Sequence, residues 1–456
     1  MADNTLASWA PFLYEMKGKV VEVFPSEAPF LAEMSGYDSH AGMVDHASAV
    51  KRITREMDGG REIFSGKSVR HTIIPYGLTG GGNVNEQTGS GGTAGTGVWN
   101  VPHALADAQI NINLVRFLVP FSVTVDVERD SFDNASATAV ATLVQQARTA
   151  LARLENLEFL GDGTGKVADI TGGTTGTLVI QVGTAGNFDV LLPGTVWDIL
   201  TKSTGANPGN GLRRKIASVS GEGTAAATVT FDTNAVASDG NSGNITFSTN
   251  EGIYIPGSWS NAGSGAFAPG NQAAQGLEQA AATTGTFETL DKAANAFWQG
   301  TDGRGGDTSV ISLSQTMLDG AVRRGRRAGL GAWDFGLGDP AVIDAYKQSL
   351  YSLVRYNPEV TTLKSGFSGI VYDGADRPFP LIKEPMHKKG GIKLIDKNSF
   401  QLYGDQPGPS FLEDDGSMFR RFTRTLPKEA ELLDRTQLGV TKCNTLVFLN
   451  NLLQAS

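Results

Sequence analysis

The segment from residue 61 to residue 127 constrains this chain most. Arg61 to Tyr76 reads as extended, Gly77 to Gly97 carries nine glycines in 21 residues, and Val98 to Val127 reads as extended again. That order predicts a long hairpin with a flexible tip. Limbs of roughly 15 or more residues would reach about 50 Å at about 3.3 Å per residue. A compact body made of the remaining chain would have a radius of gyration of only about 20 Å. The ribbon therefore outreaches its own body. Two-stranded ribbons are marginal alone and an uncovered edge is a hazard, so a neighbouring copy is the economical cover. In the returning limb Ile110, Ile112 and Leu114 alternate with Asn111 and Asn113, after which the apolar set moves to Phe117, Val119, Phe121, Val123, Val125 and Val127. The change of parity around Val115 and Arg116 predicts a bulge.

Residues 1–60 read as an arm, with apolar clusters at Trp9 to Leu13, Val20 to Phe24 and Phe30-Leu31 separated by Pro11, Pro25 and Pro29. Such a segment is ordered only where something else holds it. After the hairpin, Val140, Leu143, Val144, Ala147, Leu151 and Leu154 recur at steps of three and four, which predicts a helix from about Asn134 to Leu160 with Gly161 as its stop. It would be roughly 40 Å long. Residues 163–270 turn rich in Gly, Thr, Ala and Ser, with strand-like runs at Leu178 to Val182, Ala227 to Phe231, Asn244 to Phe247 and Gly252 to Ile255, so a small β-rich subdomain is expected. The last third predicts helices at about 275–299, 313–329 and 339–356, then strands near 369–372, 379–383, 392–403, 417–426 and 440–449.

Composition narrows the class further. A net charge of -9 argues against a surface that coats nucleic acid electrostatically. The single cysteine, Cys443, excludes an internal disulfide framework, fits synthesis in a reducing cytoplasm, and reads as a small buried residue in a strand. The start lacks a basic segment followed by an apolar core, and no run of about 18 apolar residues occurs, so neither export nor membrane insertion is expected. Without export, the sequons at Asn134 and Asn244 are chance matches.

Catalytic patterns are not met. Gly59-Gly-Arg-Glu-Ile-Phe-Ser-Gly-Lys-Ser68 ends like a phosphate loop but has five residues between Gly60 and Gly66 where the motif has four, and it lacks a preceding apolar strand. Gly161-Asp-Gly-Thr-Gly165 follows a helix and reads as its termination. His40, His46, His71, His103 and His387 have no metal-site spacing, and no serine sits in a nucleophile elbow. No cofactor and no enzyme activity is expected. The one dense basic cluster, Arg323-Arg324-Gly-Arg-Arg327, lies on a predicted helix, where it reads as a solvated face, as a set of ion pairs to an acidic neighbouring subunit, or as a contact to DNA or a scaffold.

The order of parts resembles the Hong Kong 97 capsid fold of tailed-phage major capsid proteins, an α+β fold with an N-terminal arm, an E-loop hairpin, a peripheral domain with a long spine helix, and an axial domain. Local passages are similar too: Phe24-Pro-Ser-Glu-Ala-Pro-Phe-Leu31 in the arm, Leu154-Glu-Asn-Leu-Glu-Phe-Leu-Gly-Asp-Gly163 at the end of the spine helix, and Gly369 to Gly374, Pro378 to Ile382, Glu384-Pro-Met386 and Lys393 to Asp396 in the late segment. The resemblance implies an arm at 1–60, the E-loop and its base strands at 61–127, a peripheral domain at 128–165, an inserted β-rich subdomain at 166–270, an axial domain at 271–375, and return strands at 376–456.

It also implies a function: self-assembly through hexamers and pentamers into an icosahedral virion shell that encloses double-stranded DNA without sequence-specific binding. An encapsulin-type nanocompartment shell is the alternative. Other copies of the chain are the implied partners, with a portal, a separate scaffolding protein and a decoration protein as further ones. Candidate subunit-contact residues are Lys67, Arg70 and Trp99 on the hairpin and Arg323, Arg324, Arg326 and Arg327 on the basic helix. Some members cross-link through an E-loop lysine, but Gly77 to Gly97 contains none, so a non-covalent shell is expected.

Overall fold

The computed structural model describes residues 30, 50–52, 62–65, 68–73, 108–123, 135–173, 178–182, 189–203, 205–206, 211–221, 227–235, 248–258, 273–329, 331–353, 361–362, 368–372, 378–404, 409–412, 420–421 and 428–454. Strands β1 (Val50–Arg52), β2 (Glu62–Ser65), β3 (Ser68–Ile73), β4 (Ala108–Asn113) and β5 (Val115–Val123) precede helix α1 (Ala135–Leu160). Then come β6 (Lys166–Asp169), β7 (Gly172–Gly173), β8 (Val179–Gln181), β9 (Val196–Thr201), β10 (Arg214–Ser220), β11 (Thr228–Ala235) and β12 (Glu251–Tyr254). The short helix α2 (Leu277–Ala281) leads to β13 (Thr286–Phe287), β14 (Leu290–Asp291), β15 (Thr301–Asp302), α3 (Gln315–Gly329), β16 (Phe335–Gly338) and α4 (Pro340–Leu353). The chain closes with β17 (Thr361–Thr362), β18 (Ser368–Tyr372), β19 (Phe379–Lys383), β20 (Ile392–Ile395), β21 (Phe400–Gly404), β22 (Ser410–Phe411), β23 (Arg420–Arg421), β24 (Lys428–Val440) and β25 (Val447–Leu449).

The hairpin's base is present. β3 and β4 pair antiparallel from Ser68↔Asn113 to Ile73↔Ala108, and β2 adds a third strand. The segment between them, including the Gly-rich tip, lies outside the described residues. The parity change in the returning limb has a tertiary cause. β4 belongs to the hairpin sheet, whereas β5 leaves it to pair with β24 from Val115↔Thr436 to Val123↔Lys428. Ile110 and Ile112 are buried before the break and Phe117 after it, so the chain turns its other face inward where it changes sheets.

Helix α1 follows from its apolar stripe. Val144, Ala147, Leu151 and Phe159 are buried in the central core, and the Phe159 ring meets Phe117 edge-on at 5.7 Å. Gly161 ends the helix, and the next turns use the left-handed backbone at Gly163 and Gly165, where glycine carries no Cβ penalty. Gly276 brings α2 against this end so closely that a Cβ there would stand 2.5 Å from the carbonyl oxygens of Glu158 and Gly161.

The β-rich stretch forms a seven-stranded sheet in the order β6-β12-β9-β10-β11-β8-β7, with its own cluster around Ile180, Ile199, Val229, Phe231 and Ile253. Strands β9 and β10 extend the set expected there, and Asn244 to Phe247 falls outside the described residues. A second seven-stranded sheet, β15-β25-β20-β16-β19-β18-β17, carries α3 and α4 over Leu318, Val322, Ile343, Phe379, Leu381 and Leu394.

Three expectations are corrected. The helix at 275–299 is only the five residues of α2 followed by the β13–β14 pair and a 3-10 turn at Ala296–Trp298. The buried Lys292 donates to the carbonyls of Gln279, Ala280 and Ala282, which caps α2 and ends it. The strand at 392–403 is two strands, β20 and β21, separated by a 3-10 turn at Lys397–Ser399. The strand at 440–449 divides likewise: β24 ends at Val440 and Cys443 is buried in a 3-10 turn before β25. The core of the β6–β12 sheet generates a test. Ile199→Ala should destabilise it by about 2–5 kcal/mol, read as a lower urea midpoint.

Candidate functional site

The N-terminal segment is held at one described point. Phe30 is 1% exposed inside the central core, and its backbone N–H donates to Glu384 Oε2 at 3.0 Å. Glu384 follows β19 and is fully buried. Its Oε1 accepts from the Met386 N–H at 3.2 Å and from Asn156 Nδ2 on α1 at 3.3 Å. One carboxyl thus joins Phe30, helix α1 and the segment after β19. Burial pushes this carboxyl up to about 7, against the opposing pull of the three N–H donors.

A second polar constellation sits nearby. Lys393 on β20 is 1% exposed and lies 2.7 Å from Glu278 Oε2. Its Nζ is also 3.1 Å from His387 Nε2, and His387 Nδ1 is 2.8 Å from the Lys388 carbonyl. That geometry fits a neutral ring that donates from Nδ1 to the carbonyl and accepts from the ammonium at Nε2. Burial, and then the Lys393 charge, pushes the His387 ring down to about 3. Burial alone would raise Glu278, but Lys393 and Lys388 outweigh it and hold its carboxyl far below the usual range. The groups neutralise one another in the interior and tie α2 to the β19–β20 connection. Among the described residues no cluster of three or more metal-ligating side chains occurs, and no helix is long and apolar enough to cross a membrane.

The basic cluster lies on α3. Leu318, Ala321, Val322, Gly325 and Gly329 form its buried face, and a Cβ on Gly325 would stand 2.4 Å from Trp333, so the helix sits tight on the sheet. Arg323, Arg324 and Arg327 are exposed on the other side and Arg326 is half-buried. Arg323 Nε donates to the Asp319 carbonyl at 3.2 Å, and Arg324 Nη1 donates to the Gly303 carbonyl. Arg326 and Arg327 in the last turn also favour the helix dipole.

Of the hairpin residues expected to touch a neighbour, Arg70 lies on β3 opposite Ile63 and Asn111, while Lys67 and Trp99 lie outside the described residues. The described candidates lie on two separate elements, Arg70 on β3 and the four arginines on α3. Sequence reasoning missed Glu384 and Asn156 as anchors. Both lie inside segments that carry the capsid resemblance, and that was their only signal.

No protein-family model matches this chain, and no curated protein matches it. Solved structures do. The chain is similar to the capsid asymmetric unit of cyanophage A-1(L), at 11% identity and a TM-score of 0.48 over 94% of this chain and 93% of that one. It is also similar to the capsid of cyanophage P-SCSP1u, at 11% identity and a TM-score of 0.35 over 91% and 92%. A partial likeness to the SrpI encapsulin complex of Synechococcus elongatus, 20% identical with a TM-score of 0.25, covers 35% of this chain and 55% of that one.

The anchor generates two tests. Phe30→Ala should lower stability by about 3–5 kcal/mol, measured by denaturant melting. The Glu384 carboxyl is raised from 4.5 to about 7 in the folded chain. Its contribution is therefore fully present below about 4.5 and is lost as pH rises through about 7. Glu384→Gln should flatten that part of the profile of melting temperature against pH.

Proposed function

We propose that this chain is the major capsid protein of a tailed bacteriophage, which assembles through hexamers and pentamers into an icosahedral shell around double-stranded DNA. The observation that carries the reading is the hairpin base. β3 and β4 are paired in register at the root of a Gly-rich segment, and β5, the strand that follows them, packs against a 26-residue helix. A ribbon of that kind is stabilised where it lies on another copy, and closed symmetry repeats the contact at every subunit. The exposed arginines of α3 supply a further edge from which copies can be engaged.

In this role the chain performs no catalysis and takes no cofactor. Lys67, Arg70 and Trp99 contribute contacts from the hairpin, and Arg323, Arg324, Arg326 and Arg327 contribute them from α3. DNA is contained rather than gripped, in keeping with the net charge of -9. Portal, scaffolding and decoration proteins are the partners of such a shell, and the virion is its location.

Electron microscopy of the purified chain tests the reading. Closed shells or hexamer-sized rings are expected, with nucleic acid rather than a cargo enzyme inside particles taken from infected cells. A monomer of 48.1 kDa that never assembles would overturn it. Deleting Gly80 to Gly97 should leave the melting temperature of the monomer unchanged and abolish shells. Arg323→Glu combined with Arg327→Glu should reduce assembly without loss of helix content.

A further inference from the structure

The three parts of the chain that meet at Glu384 are held with unequal firmness. Glu384 itself follows β19, and its backbone N–H donates to the Gly338 carbonyl of the neighbouring strand β16 at 2.9 Å. Asn156 is fully buried on α1 and donates to Glu384 Oε1 at 3.3 Å and to Met386 Sδ at 3.4 Å. That helix is 26 residues long and packs on β5 and β24. Phe30 has much less to hold it. It is the one described residue before Val50. Its ties are a ring seated in the central core and a single N–H, donated to Glu384 Oε2 at 3.0 Å.

The elements around Glu384 carry charges of both signs. Helix α1 carries Arg153, Glu155 and Glu158, β19 carries Lys383, Asp339 follows β16, and the turn after β19 carries His387, Lys388 and Lys389. None of them sets the protonation of Glu384. That balance consists of burial, which favours the proton, against the N–H donors of Phe30, Met386 and Asn156, which favour the charge.

We propose that Glu384 is a pH-sensitive latch on the N-terminal segment: protonated, it keeps Phe30 seated, and ionised, it releases Phe30 while α1 and β19 stay in place. A carboxylate in this interior recovers its hydration only if something lifts to admit water. The least firmly held neighbour opens first, and that neighbour is Phe30. Burial outweighs the three donors and raises the carboxyl from 4.5 to about 7. Between those values the seated state binds more proton than the open one. Its extra stability is therefore complete below about 4.5, falls as pH rises, and is gone above about 7. The latch belongs to the folded chain and stands whether or not the chain builds a shell.

The test is hydrogen exchange of the full chain from about pH 5 to about pH 8, read by peptide and corrected for intrinsic rates, for the wild type and Glu384→Gln. In the wild type, opening at the peptide that contains Phe30 should rise about tenfold per pH unit and level off above about 7. Peptides from α1 and β19 should stay far better protected at every pH. In Glu384→Gln the amide remains neutral, so the Phe30 peptide should keep one level of protection throughout. A wild-type Phe30 peptide indifferent to pH, or one that exchanges only in step with α1 and β19, would overturn the proposal. An amide variant that retains the wild-type pH dependence would overturn it too, because another group would then be responsible. If the amide variant does not fold, the comparison of the three wild-type peptides still decides.

Discussion

The pairing of β5 with β24 is the contact on which the rest of the structure depends. Nine residues of β5 are matched to nine of β24, which joins positions more than three hundred residues apart. β24 also pairs with β21, β22 and β23, and α1 packs across it. The strand is therefore the frame against which the hairpin, the spine helix and the late segment are positioned. Pairing at such separation costs loop-closure entropy before it stabilises anything, so the arrangement requires the central core to condense with it.

Around that frame the buried charges have distinct jobs. Glu384 gathers N–H donors from three parts of the chain, whereas Glu278 balances Lys388 and Lys393 across an ion-pair junction. Lys292 has no carboxylate at hydrogen-bond distance and spends its three donors on carbonyls at the end of α2. Glu384 and Glu278 join segments distant in sequence while Lys292 closes a local turn, and each is expensive to break because a buried group left alone keeps its desolvation cost. Specific burial of this kind fixes how the layers meet, while the apolar clusters provide most of the driving force.

The legibility of the elements follows the same logic. Helix α1 was readable because its apolar residues recur at helical steps over 26 residues and a glycine stops it. The element order, with the hairpin base, helix, β-rich stretch and late strands, was readable for similar reasons. β24 was not. Its inward row is Ala430, Leu432, Asp434, Thr436, Leu438 and Val440, all buried, and an acid and a hydroxyl in that row hide the alternation. α2 was overread because Leu277, Ala280 and Ala281 suit a longer helix, and nothing local announces that Lys292 will cap it.

By itself the sequence determined the periods of its segments, the length of helix α1, the base of the hairpin and the absence of a disulfide framework. These depend on local chemistry, on residue type and spacing alone. Only the tertiary structure decided that the returning limb changes sheets at Leu114 and that Phe30 is held by Glu384. Those outcomes depend on which distant segments come to share a low-dielectric interior, where a carboxyl's partner and protonation are set by neighbours that sequence order does not reveal.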